Sequence, residues 1–128
     1  MRYSVIFIVA ALLCLLVGES FGIWMSQDQQ RFVLAPAHAH LNLAGWVTLC
    51  LYGLVHAAFP ALAATRLAIF QCIAAILGAV LIAPGILMAI TMQQEVLAIL
   101  ASLLVLAGTL LFAIMFVGKV AMTKATAA

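Results

Sequence analysis

Charged residues are scarce in this chain of 128 residues: Asp, Glu, Lys and Arg make up 6% of the sequence, whereas hydrophobic residues make up 70%. Soluble domains have roughly 25% charged residues, so this chain has too few polar side chains to cover a protein that folds in water. Five basic residues are also too few for the basic surface that nucleic-acid binding requires. The composition therefore excludes a soluble enzyme and a nucleic-acid binder and predicts an integral membrane protein in a lipid bilayer.

Cysteine is also sparse. Cys14, Cys50 and Cys72 all lie in hydrophobic segments, and none forms a Cys-x-x-Cys pair. An odd number of cysteines without paired spacing predicts neither a disulfide framework nor a zinc site. We interpret them as small hydrophobic residues packed between helices.

Four hydrophobic stretches are long enough to cross a bilayer, which takes about 20 residues of helix. They cover residues 3–25, 37–58, 67–90 and 96–117, separated by short polar or proline-containing segments. Pro36 and Pro60 stand where helices commonly begin and end, while Pro84 lies inside the third stretch, where it predicts a kink or local unwinding. The fold class predicted is an all-α membrane protein, with residues 1–128 forming a single four-helix domain.

Basic residues in the short loops predict the orientation. Arg2, Arg66, Lys119 and Lys124 fall on one side of the predicted helices, and only Arg31 falls on the other. Because lysine and arginine accumulate in cytoplasmic loops, both termini are predicted to be cytoplasmic. We expect a multi-pass protein of the cell inner (cytoplasmic) membrane.

Two histidines form the most concentrated polar signal, because ionisable groups at membrane depth are costly and are therefore candidate functional residues. His38 and His40 lie at the outer end of the second helix. Residues two apart on an α-helix point about 200° apart, so these imidazoles face nearly opposite directions. The pattern favours a helix that serves two neighbouring sites over one chelated metal ion.

The residues that follow complete the candidate site. Asn42 and Gly45 come four and seven residues after His38 and share its face, and Trp46 is placed to pack on a cofactor edge or a neighbouring helix. On the first helix, Gly18-x-x-x-Gly22 is compatible with a close helix contact.

Glu19 and His56 are the remaining ionisable groups of interest. Glu19 lies at a depth similar to that of His40, and three roles stay open: an acceptor for a histidine Nδ1–H, a proton-coupled transport carboxylate, or a structural acid. His56 lies near the cytoplasmic end of the second helix, where a surface cation is mildly favourable. We therefore predict an ordinary surface position for His56. Tyr52 is expected to be buried with a hydrogen-bond partner.

The segment from His38 to Trp46, His-Ala-His-Leu-Asn-Leu-Ala-Gly-Trp, resembles haem-binding helices of the haem–copper oxidase and nitric oxide reductase superfamily. The catalytic subunits of that superfamily have twelve helices in three blocks of four, with ligands on the second helix of each block, and this chain is similar to one such block. The resemblance implies a homotrimer in which His38 of one chain and His40 of a neighbour hold a b-type haem. No residues match the copper-site histidines of those enzymes, so catalysis of oxygen or nitric oxide reduction is not expected.

The leading hypothesis is a haem b protein that transfers electrons to or from an unidentified redox partner. Two alternatives remain open at this stage. One is a small proton-coupled multidrug-type exporter that uses Glu19, and the other is a non-enzymatic copper-handling or assembly subunit that uses His38 and His40.

Overall fold

Four long helices form the protein. The computed structural model describes the backbone of residues 2–121 and the side chains of residues 2–119. The helices are α1 (Arg2–Ser26), α2 (Gln29–Ala58), α3 (Leu67–Met92) and α4 (Val96–Phe116). Each is long and hydrophobic enough to cross a bilayer, which confirms the four predicted spans. Lys124, which contributes to the predicted orientation, lies outside the described residues, and the orientation itself stays a prediction.

Helix α2 is not a uniform α-helix. Its successive segments are a 3-10 turn (Gln29–Leu34), an α-helical turn (Ala35–His40), a π-helix (Leu41–Thr48) and a final α-helix (Leu49–Ala58). In the π segment the Thr48 hydroxyl donates to the carbonyl oxygen of Leu43, five residues earlier, at 2.8 Å. That side-chain bond has the i to i−5 spacing of a π-helix.

The π segment explains why one row of α2 stays buried along its length. The buried row has a strict spacing of four residues: Ala37, Leu41, Gly45, Leu49 and Gly53. In a uniform α-helix each step of four would turn the row by about 40°, so the row would leave the core after a few turns. The turns of the π-helix are wider and hold more residues than α-helical turns. They therefore keep this row facing α1 and α3.

Glycines set the distance between α3 and α4. A Cβ atom added at Gly85 would lie 2.6 Å from the backbone nitrogen of Ala98, and one added at Gly78 would lie 2.7 Å from that of Val105. A Cβ atom added at Gly108 of α4 would likewise lie against the backbone of Ala75. Small residues at an interface let membrane helices approach closely, so van der Waals contact between backbones holds this pair together.

Helix α2 is tied to α4 as well as to α1. Its Tyr52 is buried, and the Tyr52 hydroxyl lies 2.9 Å from the hydroxyl of Thr109 on α4. The ring also meets Phe7 of α1 edge-on at 5.7 Å and Phe112 of α4 at 4.5 Å. The predicted buried position and hydrogen bond of Tyr52 are thus confirmed. Two of the three cysteines, Cys14 and Cys72, are buried, and all three are free thiols, as expected for packing residues.

Of the two effects predicted for Pro84, the local unwinding of the third helix does not occur, and the kink stays a prediction. Helix α3 continues through Pro84 from Leu67 to Met92. The Pro84 ring is exposed and lines a cleft toward α1, while its neighbour Gly85 makes the backbone contact with α4. Since the ring lies on an open side, only the local backbone hydrogen bond is lost, and the helix absorbs that loss.

The glycine contact between α3 and α4 predicts a strong position dependence for alanine substitution. Gly85→Ala should lower the free energy of unfolding by about 1–3 kcal/mol, because its Cβ would overlap rigid backbone. Gly118→Ala is the matched control, since a Cβ there meets nothing within 4 Å. Thermal unfolding in detergent measures both, and equal stability of the two variants would contradict close α3–α4 packing.

Candidate histidine site

A short turn sets where α2 begins. Asp28 caps the 3-10 segment by accepting the backbone N–H of Gln30 at 3.0 Å. The Arg31 guanidinium lies 4.3 Å from the centre of the Trp24 ring and donates to the Trp24 carbonyl oxygen at 2.9 Å. These contacts attach the end of α1 to the start of α2. His38 and His40 follow within two turns of Ala35, where the α-helical turn starts.

His38 lies against α1. The side chain is half-buried, and a Cβ added at Gly22 would come within 2.9 Å of its Cε1 atom. The ring also contacts Phe21, with 6.2 Å between ring centroids. A larger residue than glycine at position 22 would therefore displace the imidazole.

Asn42 occupies the equivalent place one turn further along. A Cβ added at Gly18 would lie 2.7 Å from its Oδ1 atom. The Asn42 amide donates to the His38 carbonyl oxygen at 3.0 Å and lies 3.4 Å from both ring nitrogens of His38. A donor equally distant from both nitrogens does not point along the in-plane lone pair of either one. The Gly18-x-x-x-Gly22 motif thus makes the close helix contact, with two polar side chains of α2 seated over its glycines.

His40 faces away from this contact. Its side chain is exposed, and Nδ1 lies 2.8 Å from the carbonyl oxygen of Pro36. A carbonyl accepts, so Nδ1 carries the proton and donates. The proton on Nδ1 leaves Nε2 of the neutral ring as an acceptor, which is the atom and tautomer suited to binding a metal.

The structure separates the two imidazoles in the manner that the His-x-His spacing predicts. His38 is held against α1 of its own chain, whereas His40 is open to the surroundings. The π-helix begins at Leu41, directly after His40. Such widened segments occur frequently at functional sites, so the backbone irregularity and the two histidines mark the same place on α2.

The other predicted site residues divide between packing and exposure. Gly45 is buried against α1, where an added Cβ would lie 2.8 Å from Cβ of Cys14. Trp46 and Glu19 are exposed. Within the described residues, the contacts of His38 and His40 do not include Glu19. The structure therefore does not bring the Glu19 carboxylate to either imidazole.

A hydrophobic cleft of about 510 Å³ opens between α1 and α3 close to the site. Its lining is entirely nonpolar apart from the thiol of Cys14 and includes Phe21, Leu41 and Pro84. Phe21 lines this cleft and also contacts the ring of His38. A nonpolar surface therefore adjoins the half-buried imidazole.

The predicted surface position of His56 is wrong. Only 1% of this residue is exposed, and its ring stacks on Phe7 at 5.5 Å. Its Nε2 atom lies 3.3 Å from Oε1 of Gln71, which is 0% exposed. Position along α2 gives the depth of His56 but does not show that side chains of α1, α3 and α4 close around it. Gln71, a polar residue within a hydrophobic stretch, is the sequence signal that could have indicated the partner.

Within residues 2–121 no group of three or more His, Cys, Asp or Glu side chains is placed to hold a metal ion. Comparisons with protein-family models, with curated proteins and with solved structures found no match.

The bond from His40 to Pro36 predicts one tautomer. In the full chain reconstituted in lipid, nitrogen NMR shifts of the neutral His40 ring should identify Nδ1 as the protonated nitrogen and Nε2 as the unprotonated one, because the Pro36 carbonyl accepts from Nδ1–H. Observation of the Nε2-protonated form would contradict this geometry.

Proposed function

We propose that this chain is a haem b-binding, multi-pass protein of the inner membrane, with His38 and His40 as the iron ligands. The observation that carries the proposal is the bond from His40 Nδ1 to the Pro36 carbonyl oxygen, which directs an unprotonated Nε2 away from the helix. Histidines that bind metals almost always donate their other ring N–H to a carbonyl, carboxylate or water, because this bond fixes both tautomer and orientation.

The surroundings also suit a haem. His38 lies beside Phe21 and a nonpolar cleft, and Trp46, four residues after Asn42, is exposed. A porphyrin is a large, mostly nonpolar ring that gains from hydrophobic contact. The donor set of two neutral imidazoles matches that of b-type haems.

Two chains are needed to complete such a site. Within one chain His38 faces α1 and His40 faces outward, so the two imidazoles of one chain would not hold the same iron. A pairing of His38 of one protomer with His40 of the next satisfies both directions, that of His38 toward α1 and that of His40 outward. A ring of protomers repeats this contact, and three is the number that the superfamily resemblance implies.

A haem held by His38 and His40 would supply one-electron transfer. The role of this chain would be to orient the two imidazoles and to provide a nonpolar environment. We propose an electron carrier or redox-linked component rather than an enzyme, acting with a redox partner still to be identified.

The visible spectrum of the purified protein tests haem binding. Chains produced in haem-replete cells should show sharp α and Soret bands after reduction with dithionite. His38→Ala and His40→Ala should each remove most of this absorbance, because each removes one axial ligand. Met92→Leu is the control, because it removes an exposed thioether and should leave the spectrum unchanged. A colourless but folded wild-type protein would contradict the proposal.

Co-expression tests ligation between protomers. A His38→Ala chain retains His40, and a His40→Ala chain retains His38, so a mixed oligomer contains one intact pair at a contact between the two variants. Haem absorbance should therefore return when both variants are produced together and purified through a tag on one of them. Failure of mixing to restore absorbance, with haem bound by wild type, would exclude shared ligation while leaving haem binding intact.

A further inference from the structure

A second polar site lies inside the bundle, far from His38 and His40. His56 is 18 residues after His38, about 27 Å along an α-helix. It is paired with Gln71 of α3 through the 3.3 Å contact of His56 Nε2 with Gln71 Oε1. Both residues are almost completely buried, and the proposed haem ligation uses neither.

The pair leaves two polar atoms unsatisfied. Within the described residues, neither Nδ1 of His56 nor Nε2 of Gln71 has a hydrogen-bond partner. If His56 Nε2–H donates to Gln71, an acceptor remains on Nδ1 and two donors remain on the amide nitrogen. If the amide is turned over and donates to Nε2, the donor remains on Nδ1 and the acceptor on the amide oxygen. In both arrangements at least one donor and one acceptor are left without a partner.

Aromatic rings enclose these atoms. The His56 ring lies 5.5 Å from that of Phe7, 6.0 Å from that of Tyr3 and 6.4 Å from that of Phe112. The phenylalanine rings offer no conventional hydrogen-bonding groups. An unsatisfied polar group in such surroundings is costly, and buried groups of this kind in proteins are usually paired with protein or with ordered water.

We propose that His56 and Gln71 form a binding site for buried water. Water supplies both a donor and an acceptor, so it matches the pair in either arrangement of the amide. Buried waters typically bind otherwise unsatisfied polar groups and are part of the folded structure. The bound water adds hydrogen bonds at the contact between α2 and α3.

Water-edited solid-state NMR on the isotope-labelled full chain in lipid tests this site. Magnetisation transferred from water should reach Nδ1 of His56 and the side-chain nitrogen of Gln71 several-fold faster than it reaches the backbone nitrogens of Leu49 and Leu62. These leucines are buried to the same extent and serve as dry controls. Equal, slow transfer to all four residues would overturn the proposal.

Substitution gives a second readout. Gln71→Leu should lower the thermal unfolding temperature and change the water transfer to His56, because it removes one side of the site. The double variant Gln71→Leu with His56→Phe should recover stability, since replacement of both partners by nonpolar groups leaves nothing unsatisfied. A single variant as stable as wild type would contradict a hydrated pair. If Gln71→Leu does not fold, the measurement on the wild-type chain decides.

Discussion

Inside a bilayer, the backbone of each helix must satisfy its own hydrogen bonds, so a helix that needs a different periodicity can change only the width of its turns. Helix α2 does this at Leu41–Thr48. The widened turns hold a row spaced by four residues against α1 and α3, from Ala37 near the histidines to Gly53 near the other end. The contacts of Asn42, Gly45 and Tyr52 all depend on this correction of the helical phase.

The same helix carries two polar sites of opposite character. At one end His38 and Asn42 lie over the glycines of α1, and His40 is exposed. At the other end His56 and Gln71 are closed in by aromatic rings from α1 and α4. Exposure therefore distinguishes the two sites: His40 is exposed, whereas His56 lies inside the bundle next to Gln71.

The sequence was sufficient for the spans and for part of the site. Hydrophobic runs of about 20 residues predict the four helices, and the Gly18-x-x-x-Gly22 spacing indicates the helix contact that the structure has. The error at His56 has a different origin. Helical position gives distance along the axis, but the residues that cover a side chain come from other helices, here Phe7 and Phe112. The π segment could not be predicted from the sequence, because positions on a helix are assigned with 3.6 residues per turn.

The shallow position of His40 has an electrical consequence. It lies five residues after Ala35, hence about 8 Å into the α-helical part of a span that crosses roughly 30 Å of hydrocarbon. Moving one charge through a full potential of 100 mV costs about 2.3 kcal/mol, and a partial crossing costs only its share. An electron that entered and left the proposed haem from the nearer face would therefore cross little of the field, and its transfer would be nearly independent of the membrane potential.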